Sequence, residues 1–412
     1  GKKKSEGLKT NLKPVNKFKL APKGSENLEA ALRSIEKLIL NHLMEMDERP
    51  QAPLNARIQK TLKEIQKTNL VAIPTDKTNS VQLLDLNTYK KQIKKHLELS
   101  ATEIKREILT NLYKEAITIA ENVENMLSDN KNAFLLEGIE SKAIPTPKLL
   151  IKDHKKKTND GYPTRLIIPA TNFTATFSKL GYLGLKAILD KNEILYNKFT
   201  ITNSYDLKGK LEKLNLEEDK TTLASLDIEN MYPSIRISLI EKAIKFYSSH
   251  LPKETQSKIN KCIKMIKFHM DSCLISFDGK YYKYKGGEAE SDKGLAIGGY
   301  ESAFLADLVA SYLLEETEEY FEKTKFHGIY RDDGIVAFNG KLTFAEIQVW
   351  LKRFQEKINK ITGGTFLNFT IKIWKPCEDD KVKGNKCTKN TEPNFPFLDM
   401  EMSWSTKGTL YF

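Results

Sequence analysis

Apolar residues recur at helical spacing twice in the first third of the chain, at Leu28, Leu32, Ile35, Leu38 and Ile39 and again at Ile104, Ile108, Leu112 and Ile117. Both runs predict helices with one buried face, and residues 26–145 read as a mainly helical region. Within it, the apolar run from Asn69 to Pro74, a polar patch from Thr75 to Ser80 and a return at Val81 predict strand, loop and strand. A second strand pair is predicted where Lys148 to Lys155 leads through a polar turn ending in Gly161 into Thr164 to Pro169, within a region spanning 146–220. From 221 to 412 strands and helices alternate. A short strand from Thr222 ends in Asp227, and Ile237, Ile240 and Ile244 mark a helix after it. Cys273 to Phe277, Asp278-Gly279 and Lys280 to Lys285 predict a hairpin. Amphipathic helices are predicted over Phe304, Leu305, Leu308, Val309, Tyr312 and Leu313, and over Ile347, Trp350, Leu351, Phe354 and Ile358. Between these two helices, apolar runs flank Asp333-Gly334, which predicts a second hairpin carrying Asp332 and Asp333 at its tip.

Charge adds a partner class to this pattern. Lys and Arg number 66 against 54 Asp and Glu, a net +12, and such a surplus favours polyanions, nucleic acid above all. Lysines crowd residues 1–25, which read as a flexible basic tail; composition leaves open whether it attracts phosphate or is merely solvated. No apolar run approaches the length of a membrane span, and Gly1-Lys2-Lys3-Lys4 is not followed by the apolar core of a signal peptide. The expectation is an intracellular protein without a membrane partner, with nucleus and cytoplasm both open. Cys262, Cys273, Cys377 and Cys387 form no C-x-x-C pair, so reduced thiols are expected rather than a zinc site.

The carboxylates carry the candidate chemistry. Two adjacent acids at a hairpin tip, with a second acid-ended strand upstream, repel one another unless cations are present. Mg2+ suits such a place because it takes oxygen ligands, retains waters and binds through a few carboxylates plus substrate phosphates. Two such ions can activate an attacking 3′-hydroxyl and stabilise a leaving pyrophosphate. The interleaved Lys283, Tyr284 and Lys285 suit phosphate contact with base stacking, although the same pattern fits an amphipathic edge strand. The turn from Gly294 to Gly299 precedes a helix and allows close approach of backbone to a ligand.

In their order these segments resemble the motifs of reverse transcriptases. The Asp227 segment looks like their motif A, Gly294 to Ala310 like motif B, and Tyr330-Arg331-Asp332-Asp333 like the Y-x-D-D form of motif C. Phe395-Pro396-Phe397-Leu398-Asp399-Met400 is similar to the segment leading to the primer grip. Penelope-like retroelement polymerases, relatives of telomerase, are resembled more closely. Asp76-Lys77 through Val81 is similar to their upstream D-K segment, Lys152-Asp153-His154-Lys155 with Arg165-Leu166-Ile167 to their fingers motif, and Phe397-Leu398-Asp399 to their F-L-D. The resemblance runs from about residue 70 to the end.

The resemblance implies an α+β right-hand polymerase with fingers and palm, an antiparallel palm sheet with helices on one face, and a helical N-terminal region beside the fingers. It implies an RNA-directed DNA polymerase that adds deoxynucleotides to a DNA or RNA primer on an RNA template. Asp227 and Asp332 would bind two Mg2+ ions, for which Mn2+ could substitute, with support from Asp333 and the Ile228 carbonyl. Tyr232 would lie under the sugar of the dNTP, Arg165 and Lys152 would grip its triphosphate, and Gly298 and Gly299 would lie near template and nucleotide. Lys77, Lys155, Lys283, Tyr284 and Lys285 would contact nucleic acid.

Three departures qualify the match. Tyr300-Glu301 stands where motif B usually has Ser-Pro, and Arg331 replaces a small or apolar residue in motif C. Strand alternation would point Arg331 away from the Asp332 side. The chain stops at Phe412 before any thumb, which is then truncated, lacking, or on a separate chain, as a nuclease would be. Gly328-Ile329-Tyr330 lies inside motif C, has no second half, and does not mark a nuclease. Two other polymerase types and one non-enzyme compete. A family B DNA polymerase would need a D-T-D-type motif, and an RNA-dependent RNA polymerase a second Asp where Tyr232 stands. A non-catalytic nucleic-acid-binding derivative would not be expected to keep its acids intact.

Overall fold

The computed structural model describes residues 69–76, 80–153, 155–157, 161–286, 294–364, 367–374 and 386–412. The expected basic tail, the helix through Leu28 to Ile39, Lys77, His154 and Cys377 lie outside them. The chain divides into two compact units, 1–71 and 72–412, and nearly all of the described residues belong to the second.

The expected strand–loop–strand is present as β1 (Leu70–Pro74) and β2 (Val81–Asp85), with Thr75 N–H donating to Ser80 O at 3.0 Å across the connection. Asp85 then caps α1 (Leu86–Ser100) by accepting from the N–H groups of Asn87 and Thr88. After β3 (Ala101–Ile104) come α2 (Glu107–Val123) and α3 (Asp129–Glu140). The apolar spacing identified α2 and its buried Leu112, but misjudged two other positions. Ile108 and Ile117 are exposed, and the helix buries Leu109, Leu112, Ala116, Ile119 and Val123. Leu109, Ala116, Ile119 and Val123 join Leu112 in the buried core, and Tyr113 of the same helix packs against Phe173 at 4.6 Å between ring centroids. Ile104 is in β3, outside the helix.

β4 (Lys148–Ile151) and β5 (Thr164–Ile167) pair antiparallel, Leu150 opposite Arg165, as the second strand pair predicted. Helices α4 (Ala175–Lys191) and α5 (Ser204–Glu212) lead to β6 (Thr221–Glu229), the centre of a five-stranded sheet. A single helical turn, Met231–Ser234, then α6 (Ile237–Ser248) and α7 (Lys253–Asp271), separate it from the hairpin of β7 (Leu274–Phe277) and β8 (Lys280–Tyr284). Asp278 and Gly279 both take positive φ in that two-residue turn, as Asp-Gly demands. β8 lies between β3 and β7 and is therefore no edge strand.

α8 (Ser302–Glu315) is buried on nearly every side rather than amphipathic. It leads to β9 (Thr324–Tyr330), β10 (Asp333–Asn339) and α9 (Phe344–Thr362). A capping box between Thr343 and Glu346 starts α9, Gly363 at φ 74° ends it, and Ile347, Leu351, Phe354 and Ile358 form its buried stripe. Strands β11 (Asn368–Trp374) and β12 (Cys387–Asn390) complete the large sheet, in the order β12-β11-β6-β10-β9. Strands β11, β6, β10 and β9 run antiparallel as expected; the edge strand β12 runs parallel to β11.

The large sheet is covered on both faces, not one. Ala224, Leu226, Ile228, Val336 and Phe338 pack into the helical core with α6, α8 and α9. Leu223, Ile335 and Ala337 pack on the opposite face, under α5 and a small sheet of β13 (Phe395–Phe397), β14 (Met400–Trp404) and β15 (Leu410–Tyr411). The alternation of residues along β6 is thus a division between two cores. Cys262, Cys273 and Cys387 are free and buried.

Candidate active site

Asp227, Asp332 and Asp333 lie at one end of the large sheet. Asp227, on β6, stands directly opposite Asp333, on β10. Asp332 occupies the turn before β10, and its carbonyl accepts the Ile228 N–H at 3.2 Å, which fastens the turn to β6. The turn itself differs from expectation. Tyr330 pairs with Asp333, so the two loop residues are Arg331 and Asp332, and Asp333-Gly334 already belongs to the strand. Gly334 is needed there because a Cβ would lie 3.1 Å from the Cβ of Leu226 on β6. Arg331 takes the left-handed conformation at φ 59°, unusual for a long side chain. Its guanidinium donates to the Asp307 carboxylate and, at 3.0 Å, to Ala303 O, both on α8. It therefore does turn away from the acids, through an ion pair rather than through strand alternation.

Burial, and then the neighbouring Asp332 charge, raise the Asp227 carboxyl above its ordinary value, while Lys155 and Lys152 act in the opposite direction. Lys152 in turn is lowered by burial and by Arg165, and drawn up by Asp76 and Asp227. The β4–β5 segment therefore presents its cations to the acid cluster. Arg165 pairs with Asp76 at 3.2 Å, and the Asp76 N–H donates to Ile151 O at 2.8 Å, so the upstream segment is fastened to the same hairpin.

Tyr232 is half-buried one turn beyond β6, where burial raises its phenol and the charges of Arg331, Asp307 and Asp332 are all felt. Its carbonyl accepts the Leu295 N–H at 3.0 Å, tying the glycine turn to the acid strand. The other side of that turn is held by Ile168 N–H donating to Ile297 O at 3.1 Å. Gly298, at φ 109°, has no room for a Cβ, which would lie 2.5 Å from Ile168 O. The glycine demand at 298 is thus met by backbone of the β5 segment, and at Gly299 by Ser302 and Glu301.

Of the expected site residues, Asp227, Ile228, Tyr232, Asp332 and Asp333 lie at this end of the sheet, the charges of Lys152 and Lys155 act on Asp227, and Arg165 is paired with Asp76 beside Lys152. Lys283 and Lys285 lie in or just after β8, on a different sheet. Tyr284 does not fit the stacking role expected of it: it is 6% exposed and turned inward, with its hydroxyl on Leu295 O at 3.5 Å. In a strand whose side chains alternate, the two lysines face outward because Tyr284 faces in.

Sequence reasoning missed Asp307 and the pairing of Asp76 with Arg165. A lone acid within the apolar run of α8 was the available signal for Asp307. It also missed the buried set beneath the glycine turn. There Glu301 lies 3.8 Å from His269 Nε2, while His269 Nδ1 meets the Thr174 hydroxyl at 2.7 Å.

The donor set suits a hard divalent cation. Two carboxylates of like charge, one raised in proton affinity by the other, are what a cation would relieve. Among the described residues no three His, Cys, Asp or Glu side chains converge into a ready-made metal cage.

The chain is similar to telomerase from Candida albicans solved in complex with a TWJ fragment of telomeric RNA, at a TM-score of 0.52 and 12% identity, over 85% of this chain and 55% of that one. Two structures of telomerase from Candida tropicalis match at TM-scores of 0.48, for a form truncated from the C-terminal domain, and 0.49. Their identities are 12% and 9%; each match covers 82% of this chain, and 63% and 56% of the other. No protein-family model matches the sequence, and no curated protein matches it. Among the described residues no helix is long and apolar enough to cross a membrane. At this identity the likeness is one of fold, over little more than half of the C. albicans chain: an α+β arrangement of fingers and palm, as in telomerase.

Proposed function

We propose that this chain is the fingers-and-palm core of a reverse transcriptase, extending a DNA or RNA primer on an RNA template with deoxynucleotides. The observation that carries the reading is the cluster of Asp227, Asp332 and Asp333 at the end of the large sheet, faced by Lys152 and Lys155. Asp227 and Asp332 would hold two Mg2+ ions, with help from Asp333 and the Ile228 carbonyl. When bound, these ions would activate the primer 3′-hydroxyl and stabilise the charge leaving with pyrophosphate.

The chain's own residues supply binding and orientation. Lys152, Lys155 and Arg165 would draw the triphosphate to the acids, with Asp76 holding the Arg165 guanidinium in place. Tyr232, half-buried and packed against the core, offers a ring that excludes a 2′-hydroxyl and so favours dNTPs. Lys283 and Lys285 would attract the nucleic-acid backbone. Kinship with Penelope-like elements is supported by the Asp76–Arg165 pair, because it joins two of the segments on which that resemblance rests.

Incorporation of dNTPs against NTPs on a primed RNA template tests the reading. Wild type should favour dNTPs strongly, and Tyr232→Ala should narrow the preference by about tenfold or more, the scale of one steric contact. A clear preference for NTPs in wild type would replace this reading with an RNA-directed RNA polymerase.

A further inference from the structure

Most of the charged pairs among the described residues are exposed and of small energetic consequence. The Arg331–Asp307 pair differs in position and in what it fixes. Asp307 is the one acid between Ser302 and Leu314 on α8, a helix otherwise buried in the core. Arg331 immediately precedes Asp332, in a two-residue turn and in a left-handed backbone conformation that is costly for any residue but glycine.

We infer that the Arg331–Asp307 pair is a latch that positions Asp332, so that Arg331 and Asp307 are positioning residues for the proposed polymerase. The turn is held at two points. On one side the Asp332 carbonyl accepts the Ile228 N–H from β6. On the other, Arg331 reaches α8 through Asp307 and the Ala303 carbonyl. With only the β6 hold beyond the Tyr330–Asp333 pair that closes it, the turn keeps freedom in its two loop residues. The second hold, through α8, removes that freedom and sets where the Asp332 carboxylate stands relative to Asp227. Displacement of a carboxylate by about 1 Å is enough to degrade a metal site or a transfer step. The latch also accounts for the arginine that departs from the Y-x-D-D pattern. A small residue there would relieve the side chain but could not reach α8.

The inference rests on the polymerase reading, and the two can fail separately. Arg331→Gly is the informative variant, because glycine takes this left-handed conformation without strain, so the hairpin still closes while the latch is lost. Asp307→Asn removes the opposite charge while keeping the side chain's size. Arg331→Lys should rescue in part, since an ammonium can still reach a carboxylate as a point charge. Three quantities are read: the thermal midpoint, Mn2+ affinity of the protein by electron paramagnetic resonance, and steady-state extension of a primed RNA template.

Arg331→Gly should keep a wild-type midpoint, bind Mn2+ several-fold more weakly, and lose about ten- to a hundredfold in kcat with the dNTP KM little changed. Asp307→Asn should follow it, and Arg331→Lys should fall between. Wild-type Mn2+ affinity and kcat in Arg331→Gly would overturn the latch. So would a fall in midpoint with no change in either quantity, which would make the pair merely structural. If wild type extends no primer, the polymerase reading fails, and the Mn2+ titration still decides whether the latch orders the acids.

Discussion

Asp227 carries a carboxyl whose surroundings oppose its ionisation. Its raised carboxyl means that ionisation weakens the folded state. That cost is absent below the ordinary carboxylate value of 3.8 and fully present once pH passes the raised value. At neutral pH in metal-free buffer, Asp227→Asn should therefore unfold at a higher temperature than wild type, by about 1–3 °C, tempered because the group is partly solvated. Millimolar Mg2+ should raise the wild-type midpoint and leave that of Asp227→Asn nearly unmoved, as differential scanning fluorimetry would record. A lower midpoint for Asp227→Asn would mean that Lys152 and Lys155 outweigh Asp332. The acids themselves were legible in sequence, since an acid at the end of an apolar strand and a pair beside a hairpin are local patterns. Their partners were not. Asp76 and Arg165 are 89 residues apart, and Asp307 and Arg331 are 24 apart, so nothing at short range announces either pair.

At the scale of elements, Asp278-Gly279 and Asp333-Gly334 divide the outcome. Asp278-Gly279 forms the turn that local chemistry predicts. Asp333-Gly334 does not, because β6 pairs with both residues and recruits them into the sheet. Tertiary pairing overrode a turn signal, and the two-residue loop moved back to Arg331-Asp332. The helices show the same division. Ile347 to Ile358 was legible because its cap and stripe are local, whereas α2 has apolar residues on more than one side and only tertiary packing could choose between them. The glycine turn carries a packing demand that the sequence did not show. Gly298 lies against Ile168 O, so Gly298→Ala should destabilise by about 1–3 kcal/mol through strain at φ 109° and the 2.5 Å approach. Urea denaturation would measure it, and an unchanged midpoint would show that the β5 segment yields easily.

For the whole molecule, the arrangement that matters is a hairpin of cations set against a sheet end of anions, with a glycine turn bonded to both. The α+β fold of fingers and palm was legible because its motifs come in a fixed order along the chain. That both faces of the large sheet are covered was not, because burial of the second face depends on β13 to β15, which lie far beyond β6 in sequence. The same arrangement makes the catalytic reading testable apart from binding, since the phosphate-attracting lysines and the acids are different residues on different elements. The decisive measurement is extension of a primed RNA template by dNTPs with Mg2+, wild type beside Asp332→Ala, with primer–template affinity measured in parallel. Extension by wild type, its loss in Asp332→Ala and near-equal binding by both are the predicted result; equal extension by the two proteins would contradict the assignment of these acids as the catalytic centre.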